Sequence, residues 1–442
     1  MDVIVMTAQI ILSLSILVGL HELGHLVAAK FFGMRVEQFS IGFPPKIFKF
    51  KYGETEYALS AIPLGGYVKI SGMIDESLDT EKMKEEPQPW EFRSKPAWQR
   101  LIVMLGGIVV NIVTGIVIFI LMTYLLGEVT VPRDVINENG GIVAYELAEK
   151  IGLKTGDQIV KINGKEFHDF SDVKSASTYL EEDAYYTVIR GNETLEIQIP
   201  SDFLEDLSDK DKRFIDLRIP PRVAQVEKSL FAGRYDIREG DLITGINGTP
   251  VKYFDEVRTA LDGLTTDTLS VEILRGSDKL VKSGYWGGDS IIGFRVDGEK
   301  YIKSIGITKD YSLAQAIPIG VSKAFSIVFV QIKAFGKMFS GDLNVRKSLS
   351  GPIGIAEAYG STWDWVNFWF ITGMLSMVLA FMNLLPIPAL DGGHVMFLSY
   401  EMVSGRKPSD KFMEVAQKAG MIILLALMVF VFSNDILKLF GI

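Results

Sequence analysis

Hydrophobic residues in this chain gather into long uncharged runs at both ends, and alternate with polar residues in between. The first run reaches from Val3 to Phe32: Val3 to Leu20 carries no charge, and Leu26-Val27-Ala28-Ala29 continues it. The second, Leu101 to Leu126, is wholly uncharged, as is the third, Trp365 to Leu390. The fourth, Ala419 to Asn434, is shorter and suffices if Lys418 snorkels to the interface. A helix rises about 1.5 Å per residue, so runs of this length predict four transmembrane helices. A fifth apolar stretch, Ala316 to Phe339, is interrupted by Lys323, Lys333 and Lys337. It predicts an amphipathic helix at the membrane surface.

Basic residues near the helix ends set the expected orientation. Lys30 and Arg35 follow the first span, Lys95 and Arg100 precede the second, and Arg406, Lys407, Lys411 and Lys418 separate the third and fourth. The positive-inside rule places these loops in the cytosol and both termini outside. The expected division is a first span at 1–32 and a cytosolic loop with a membrane-associated β-hairpin at 33–100. The second span follows at 101–126, then outer units at 127–220 and 221–304, and a membrane-proximal amphipathic region at 305–364. The third span is expected at 365–394, a cytosolic loop at 395–418 and the fourth span at 419–437.

The outer segment contains a diverged repeat. Gly156-Asp157-Gln158-Ile159-Val160-Lys161-Ile162-Asn163-Gly164 is echoed by Gly240-Asp241-Leu242-Ile243-Thr244-Gly245-Ile246-Asn247-Gly248. Each copy reads as a short alternating strand closed by an Asn-Gly hairpin turn. The signature resembles PDZ domains, which implies two tandem α+β units that take extended peptides or chain ends by strand addition. The second copy departs from the first upstream, where extra residues separate Ala232-Gly233 from Gly240-Asp241. The expected fold class is thus a polytopic α-helical membrane protein with two PDZ-like domains between the second and third spans.

Composition narrows the chemistry. At 442 residues, 48% of them hydrophobic, the chain suits a membrane protein with a substantial aqueous part. A net charge of −9 gives no support to nucleic-acid binding. Without cysteine there is no disulfide, no thiolate nucleophile and no Cys-ligated zinc. The four histidines are His21, His25, His168 and His394, so a metal site must draw on these and on carboxylates. The N-terminal run is too long for a signal peptide and lacks a basic start, which predicts a retained helix.

His21-Glu22-Leu23-Gly24-His25 lies inside the first span. The four-residue spacing stacks both imidazoles on one helical face, where they can share a metal ion. Glu22 beside them can serve as general base toward water activated at the metal. Ionisable side chains within a membrane helix cost several kcal/mol unless partnered, and mark function. A catalytic zinc needs a third protein ligand and an open position. The far end of the third span, Asn383-Leu384-Leu385-Pro386-Ile387-Pro388-Ala389-Leu390-Asp391-Gly392-Gly393-His394, offers one. The first and third spans run in the same direction, so Asp391 falls at the depth of His21 and His25. Pro386 and Pro388 remove amide donors, and the helix should break there. Irregular backbone at membrane depth is expected to line a wet cavity. Between the first two spans, Tyr57 to Lys69 alternates and then meets Pro63 and the Gly65-Gly66 pair, which suggests a hairpin dipping into the membrane. Its edge could align an unwound substrate.

Two other classes meet these residues less well. A non-catalytic receptor or scaffold working through PDZ-like units has no need of Glu22. A metal transporter would want ionisable groups on several spans, and the second and fourth have none.

Taken together, the residues resemble site-2 proteases, the membrane-embedded zinc metalloproteases. The matching features are His21-Glu22-x-x-His25, Gly65-Gly66-Tyr67-Val68-Lys69, the PDZ-like pair, Leu349 to Ala356, and Asn383 to Gly393, in the family's order. The resemblance implies one zinc ion on His21, His25 and Asp391, with Glu22 as catalytic base. It implies that Asn383 handles substrate near the scissile bond; Pro386, Pro388, Gly65, Gly66 and Tyr67 are further candidates for substrate contact. The implied substrates are transmembrane helices of single-span proteins, such as an anti-sigma factor already cut on its outer side, and remnant signal peptides. The implied location is a bacterial inner membrane, with the PDZ-like units periplasmic and the active site toward the cytosol. The chain departs from the family at Gly107-Ile108-Val109-Val110-Asn111, which lacks a proline after the glycine, and at Gly42-Phe43-Pro44, where the family has Gly-Phe-Gly.

Overall fold

The computed structural model describes residues 2–73, 86–207, 212–262, 264, 266–286, 291–349 and 351–439. They form two compact units: Met1–Gly127, Asp310–Phe339 and Val345–Ile442 in the first, Glu128–Lys309 and Ser340–Asn344 in the second.

The first unit is a helical bundle with one sheet. Its longer helices are α1 (Asp2–Phe31), α2 (Ala97–Leu126), α3 (Leu313–Ser340), α4 (Pro352–Tyr359), α5 (Trp365–Leu384), α6 (Asp391–Ser404) and α7 (Asp410–Leu439). Among the described residues, α1, α2, α3, α5 and α7 are long and apolar enough to cross a membrane. The chain is a polytopic membrane protein with sheet-containing parts. The expected surface helix at 316–339 is one continuous 28-residue helix packed into the bundle. Ala316, Gly320 and Ala324, spaced four apart, are buried, and the Phe335 ring lies 5.8 Å from that of Phe381 on α5. The lysines that broke the apolar run are thus compatible with a helix that buries a stripe of small residues elsewhere on its surface.

α1 and α2 approach backbone to backbone. A Cβ at Gly24 would collide with the Gly106 carbonyl, and one at Gly106 with the Gly24 carbonyl, so neither position tolerates a side chain. Buried hydroxyls tie α5 into the bundle: Thr372 Oγ1 donates to Ser13 Oγ on α1 (3.0 Å) and Ser376 Oγ to the Asn111 carbonyl on α2 (2.8 Å). At the opposite end of α2, Arg100 Nη2 meets Glu401 Oε1 of α6 at 2.5 Å.

The sheet is built from β1 (Val36–Tyr52) and β2 (Thr55–Ile70). The hairpin expected at Tyr57–Lys69 belongs to this wider pairing, whose turn carries Gly53 at φ +60°. Ser40 has partners on both sides, Tyr67 and Ala58, so the start of β1 is enclosed by two stretches of β2.

The second unit contains the repeat. In the first copy β3 (Gln158–Ile162) pairs with β4 (Tyr185–Arg190), which pairs with β5 (Glu193–Gln198). In the second, β6 (Leu242–Ile246) pairs with β7 (Thr268–Arg275), which pairs with β8 (Asp278–Tyr285). Each first strand ends in the predicted Asn-Gly turn, with Asn163 and Asn247 at φ +50° and +49°. Each asparagine oxygen accepts an amide from the next strand, Tyr185 and Ser270 respectively, at 2.8 Å. Each copy has its own core, around Ile159, Tyr186 and Phe203 in one and Ile243, Leu269 and Phe231 in the other.

Candidate metal centre

Helical periodicity puts His21 and His25 one turn apart on α1, their rings edge to face with centroids 4.8 Å apart. His25 Nδ1 lies 2.8 Å from the Val103 carbonyl of α2. A carbonyl only accepts, so Nδ1 carries a proton, and in the neutral ring Nε2 presents a bare lone pair. That nitrogen faces His21 Nε2 at 3.2 Å.

The third group arrives from the other end of the chain. α5 stops at Leu384, before two prolines that cannot donate backbone amides. Ala389 then takes φ +82°, a left-handed conformation that a residue with a Cβ adopts rarely and at a cost. The chain reverses there, and Asp391 opens α6. Its Oδ2 lies 3.1 Å from His21 Nε2 and 3.4 Å from His25 Nε2.

The three groups offer ligand atoms within 4.8 Å of one another, and Asp391 Oδ2 is buried without a hydrogen-bond partner. With Nε2 bare on both histidines, lone pairs crowded in this way repel unless a cation sits among them. Tetrahedral ligands about 2.0–2.1 Å from a common zinc would be about 3.3 Å apart, close to the separations seen here. Two imidazoles and one carboxylate also form a donor set typical of catalytic zinc.

Glu22 points into the same cavity of about 660 Å³, which is also lined by His21, His25, Asn383, Asp391 and His394. β2 forms another wall: Gly65, Gly66 and Tyr67 line it, and the Val68 amide lies beside the Glu22 carboxylate. A Cβ at Gly66 would stand 3.2 Å from Glu22 Cγ, so the strand runs against the base. The Asn383 amide nitrogen is 3.4 Å from His21 Nε2.

The structure therefore brings together His21, Glu22, His25, Asn383, Asp391, Gly65, Gly66 and Tyr67. Pro386 and Pro388 are not among the cavity's lining residues and shape the turn that delivers Asp391. His394 lines the cavity outside the three-ligand cluster, and His168 belongs to the second unit. Sequence reasoning singled out Gly107 to Asn111 only as a departure from the family pattern and overlooked how α2 surrounds the two histidines. Val103, Gly107 and Asn111 form one stripe at four-residue spacing, and the available signal was this spacing inside an uncharged span. Val103 holds His25, while a Cβ on Gly107 would stand 2.5 Å from His25 Nε2 and 2.6 Å from His21 Cε1. Gly107 thus leaves the room that both imidazoles occupy.

A helical membrane unit enclosing two histidines, a carboxylate and an adjacent glutamate defines a class of intramembrane metallopeptidase. The sequence matches peptidase family M50 over residues 9–427, and the chain belongs to that family, the site-2 proteases. It is a zinc metalloprotease. The regulator of sigma E protease of Haemophilus influenzae is 30% identical over 452 residues, covering 97% of this chain and 98% of that protein. The regulator of sigma-E protease RseP of Escherichia coli is 28% identical over 454 residues, 98% of each chain. A Vibrio cholerae relative whose name contains the words zinc metalloprotease is 27% identical, covering 97% of this chain and 98% of its own.

Proposed function

We propose that this chain cleaves the transmembrane helices of single-span membrane proteins, using one zinc ion held by His21, His25 and Asp391. The observation that carries this reading is the convergence of three groups able to ligate a metal beside Glu22 in a cavity within the helical unit. Bound zinc supplies Lewis acidity, which polarises a carbonyl and acidifies water. The chain's own residues supply the rest. A Glu22 carboxylate oxygen takes the proton of the attacking water and returns it to the departing amide nitrogen. Helical substrates hide their carbonyls in internal hydrogen bonds, so a substrate must unwind before cleavage. The Gly65–Lys69 stretch offers backbone groups to the unwound segment, and the Asn383 amide lies where it can hold a peptide carbonyl near the reacting bond.

The substrate class proposed is an anti-sigma-factor-like protein already trimmed on its outer side, with remnant signal peptides as a second class. The names of the Haemophilus and Escherichia relatives support a sigma-factor connection. The proposed setting is a bacterial inner membrane, with both termini and the second unit in the periplasm, consistent with the basic cytosolic loops. Four helices cross, and α3 is embedded against the bundle without crossing. Lys333 and Lys337 lie roughly 40° apart on that helix, which supports a wet face toward its end, while Lys323 reaches Thr123 Oγ1 of α2 at 3.3 Å. The 127–220 and 221–304 segments act as tandem PDZ-like units that take peptides or chain ends and screen substrates.

The test is incubation of detergent-solubilised protein with a transmembrane-helix peptide, with and without a zinc chelator. Cleavage that stops with chelator and returns with zinc supports the reading. Chelator-insensitive cleavage, or no cleavage of any such peptide by zinc-loaded protein, overturns it.

A further inference from the structure

The two histidines are held differently, and the difference assigns a role to Asn111. His25 donates its Nδ1 proton to a backbone carbonyl. Among the described residues, His21 has no such carbonyl within hydrogen-bond range. Its Nδ1 lies 3.1 Å from the side-chain amide of Asn111, two turns along α2 from Val103. Asn111 is 1% exposed, and Ser376 Oγ donates to its carbonyl at 2.8 Å, fixing its place on the helix.

The amide as placed turns Nδ2 toward His21. If Nδ2 donated to Nδ1, the neutral imidazole would carry its proton on Nε2, the nitrogen that faces Asp391 and His25. It could not then bind a metal through that atom. Nitrogen and oxygen of an asparagine amide are assigned from hydrogen bonding, not from shape. Turning the amide over puts Oδ1 3.1 Å from Nδ1, where it accepts the Nδ1 proton and frees Nε2.

We propose that Asn111 is the positioning residue for His21: its side-chain oxygen accepts the Nδ1 proton and so selects the metal-binding tautomer. The proposal rests on the reading that His21, His25 and Asp391 hold zinc. Val103, Gly107 and Asn111 then form one functional stripe, which orients one imidazole, clears space for both and orients the other. Partners of this kind commonly set metal affinity, and their loss costs about 10- to 100-fold.

The experiment compares wild type, Asn111→Leu and Asn111→Asp by zinc competition against a chromogenic chelator. Melting of the metal-free proteins serves as the folding control. Asn111→Leu removes the acceptor and should weaken zinc binding about 10- to 100-fold. Asn111→Asp keeps an acceptor in the same place and should hold zinc within a few-fold of wild type. The visible spectrum of the cobalt-substituted protein should change in the leucine variant and persist in the aspartate variant. Equal losses in both folded variants, or wild-type affinity in the leucine variant, would overturn the assignment. Should a variant not fold, 15N NMR of histidine-labelled wild type with zinc decides: the proposal requires a protonated Nδ1 on His21, and a protonated Nε2 contradicts it. If wild type itself binds no zinc, the failure belongs to the metal-site reading.

Discussion

Buried carboxylates serve opposite purposes in the two units. In the second unit Asp157 and Asp241 occupy equivalent places in the repeat, each 1% exposed. Asp157 accepts from Arg190 Nε and Nη2, both at 2.7 Å, and from the Lys154 amide at 2.8 Å. Asp241 repeats the arrangement with Arg275 (2.8 and 2.9 Å) and the Arg238 amide (2.8 Å). Both oxygens of each carboxylate are met by donors, three in all, and the partners lie within the same copy. In the first unit Asp391 faces two imidazole nitrogens, one of them a bare acceptor, and its Oδ2 is left without a hydrogen bond. A buried acid with its donors in place braces a fold. A buried acid converging on other acceptors leaves room for a cation.

The comparison can be broken by substitution, and the largest effect belongs to the base. Glu22→Gln keeps the size of the side chain and removes no proposed ligand. Cleavage should fall by about 10²- to 10⁴-fold, with zinc content unchanged by elemental analysis. A variant that still turned over at the wild-type rate would remove Glu22 from the chemistry.

Asp157→Ala attacks a structural acid instead. It strands Arg190 and the Lys154 amide, and breaking such a pair costs about 3–5 kcal/mol when fully buried. Arg190 is 30% exposed, which lowers the expectation to about 2 kcal/mol. The loss should appear as lower thermal stability of the second unit, with zinc binding intact. A loss of zinc at unchanged stability would erase the distinction between the two kinds of acid.

Asn383→Ala should lower turnover about tenfold, roughly the 1.4 kcal/mol expected for one lost hydrogen bond to substrate, and reduce zinc affinity less. Kinetics on several peptides check this. Equal cleavage of all of them would leave Asn383 a packing residue.

The smallest effect concerns pH. Burial pushes the Asp241 carboxyl up, but the Arg275 pair and the Arg238 amide outweigh it and hold the group below its usual range. An acid depressed in the folded state contributes stability that is present above its unfolded value of about 3.9 and is lost as pH falls through the folded one. Protection from hydrogen exchange at 236–241, taken relative to the intrinsic rate at each pH, should therefore be high at neutral pH and fall only below about pH 4. Protection already lost near pH 6 would mean that Asp241 is not held by these partners.

Much of this was legible along the chain because its causes are local. Four-residue spacing placed His21 and His25 together, and prolines at 386 and 388 ended the helix that carries Asn383. The Asn163-Gly164 and Asn247-Gly248 turns announced themselves through residues that tolerate positive φ. The remainder depends on contacts between distant segments. Nothing near Val103 or Asn111 says that a histidine stands against them, because α1 lies about 80–90 positions away and the approach rests on Gly24 meeting Gly106. The packing of α3 against the bundle was hidden for a similar reason. Its lysines interrupt the apolar run, whereas Ala316, Gly320 and Ala324 reveal their purpose only against a neighbouring helix. The enclosure of the start of β1 by β2 follows from a register that alternation alone does not specify.

The central claim is that Asp391 completes a metal centre with His21 and His25, and zinc stoichiometry in Asp391→Ala and His394→Ala tests it most directly. His394 lines the same cavity, and imidazole is a common zinc ligand, so the pair separates position from chemistry. The account predicts that Asp391→Ala loses zinc and cleavage while the metal-free protein stays folded, and that His394→Ala keeps close to one zinc per chain with a milder loss of activity. Full zinc and activity in Asp391→Ala, with both lost in His394→Ala, would contradict it.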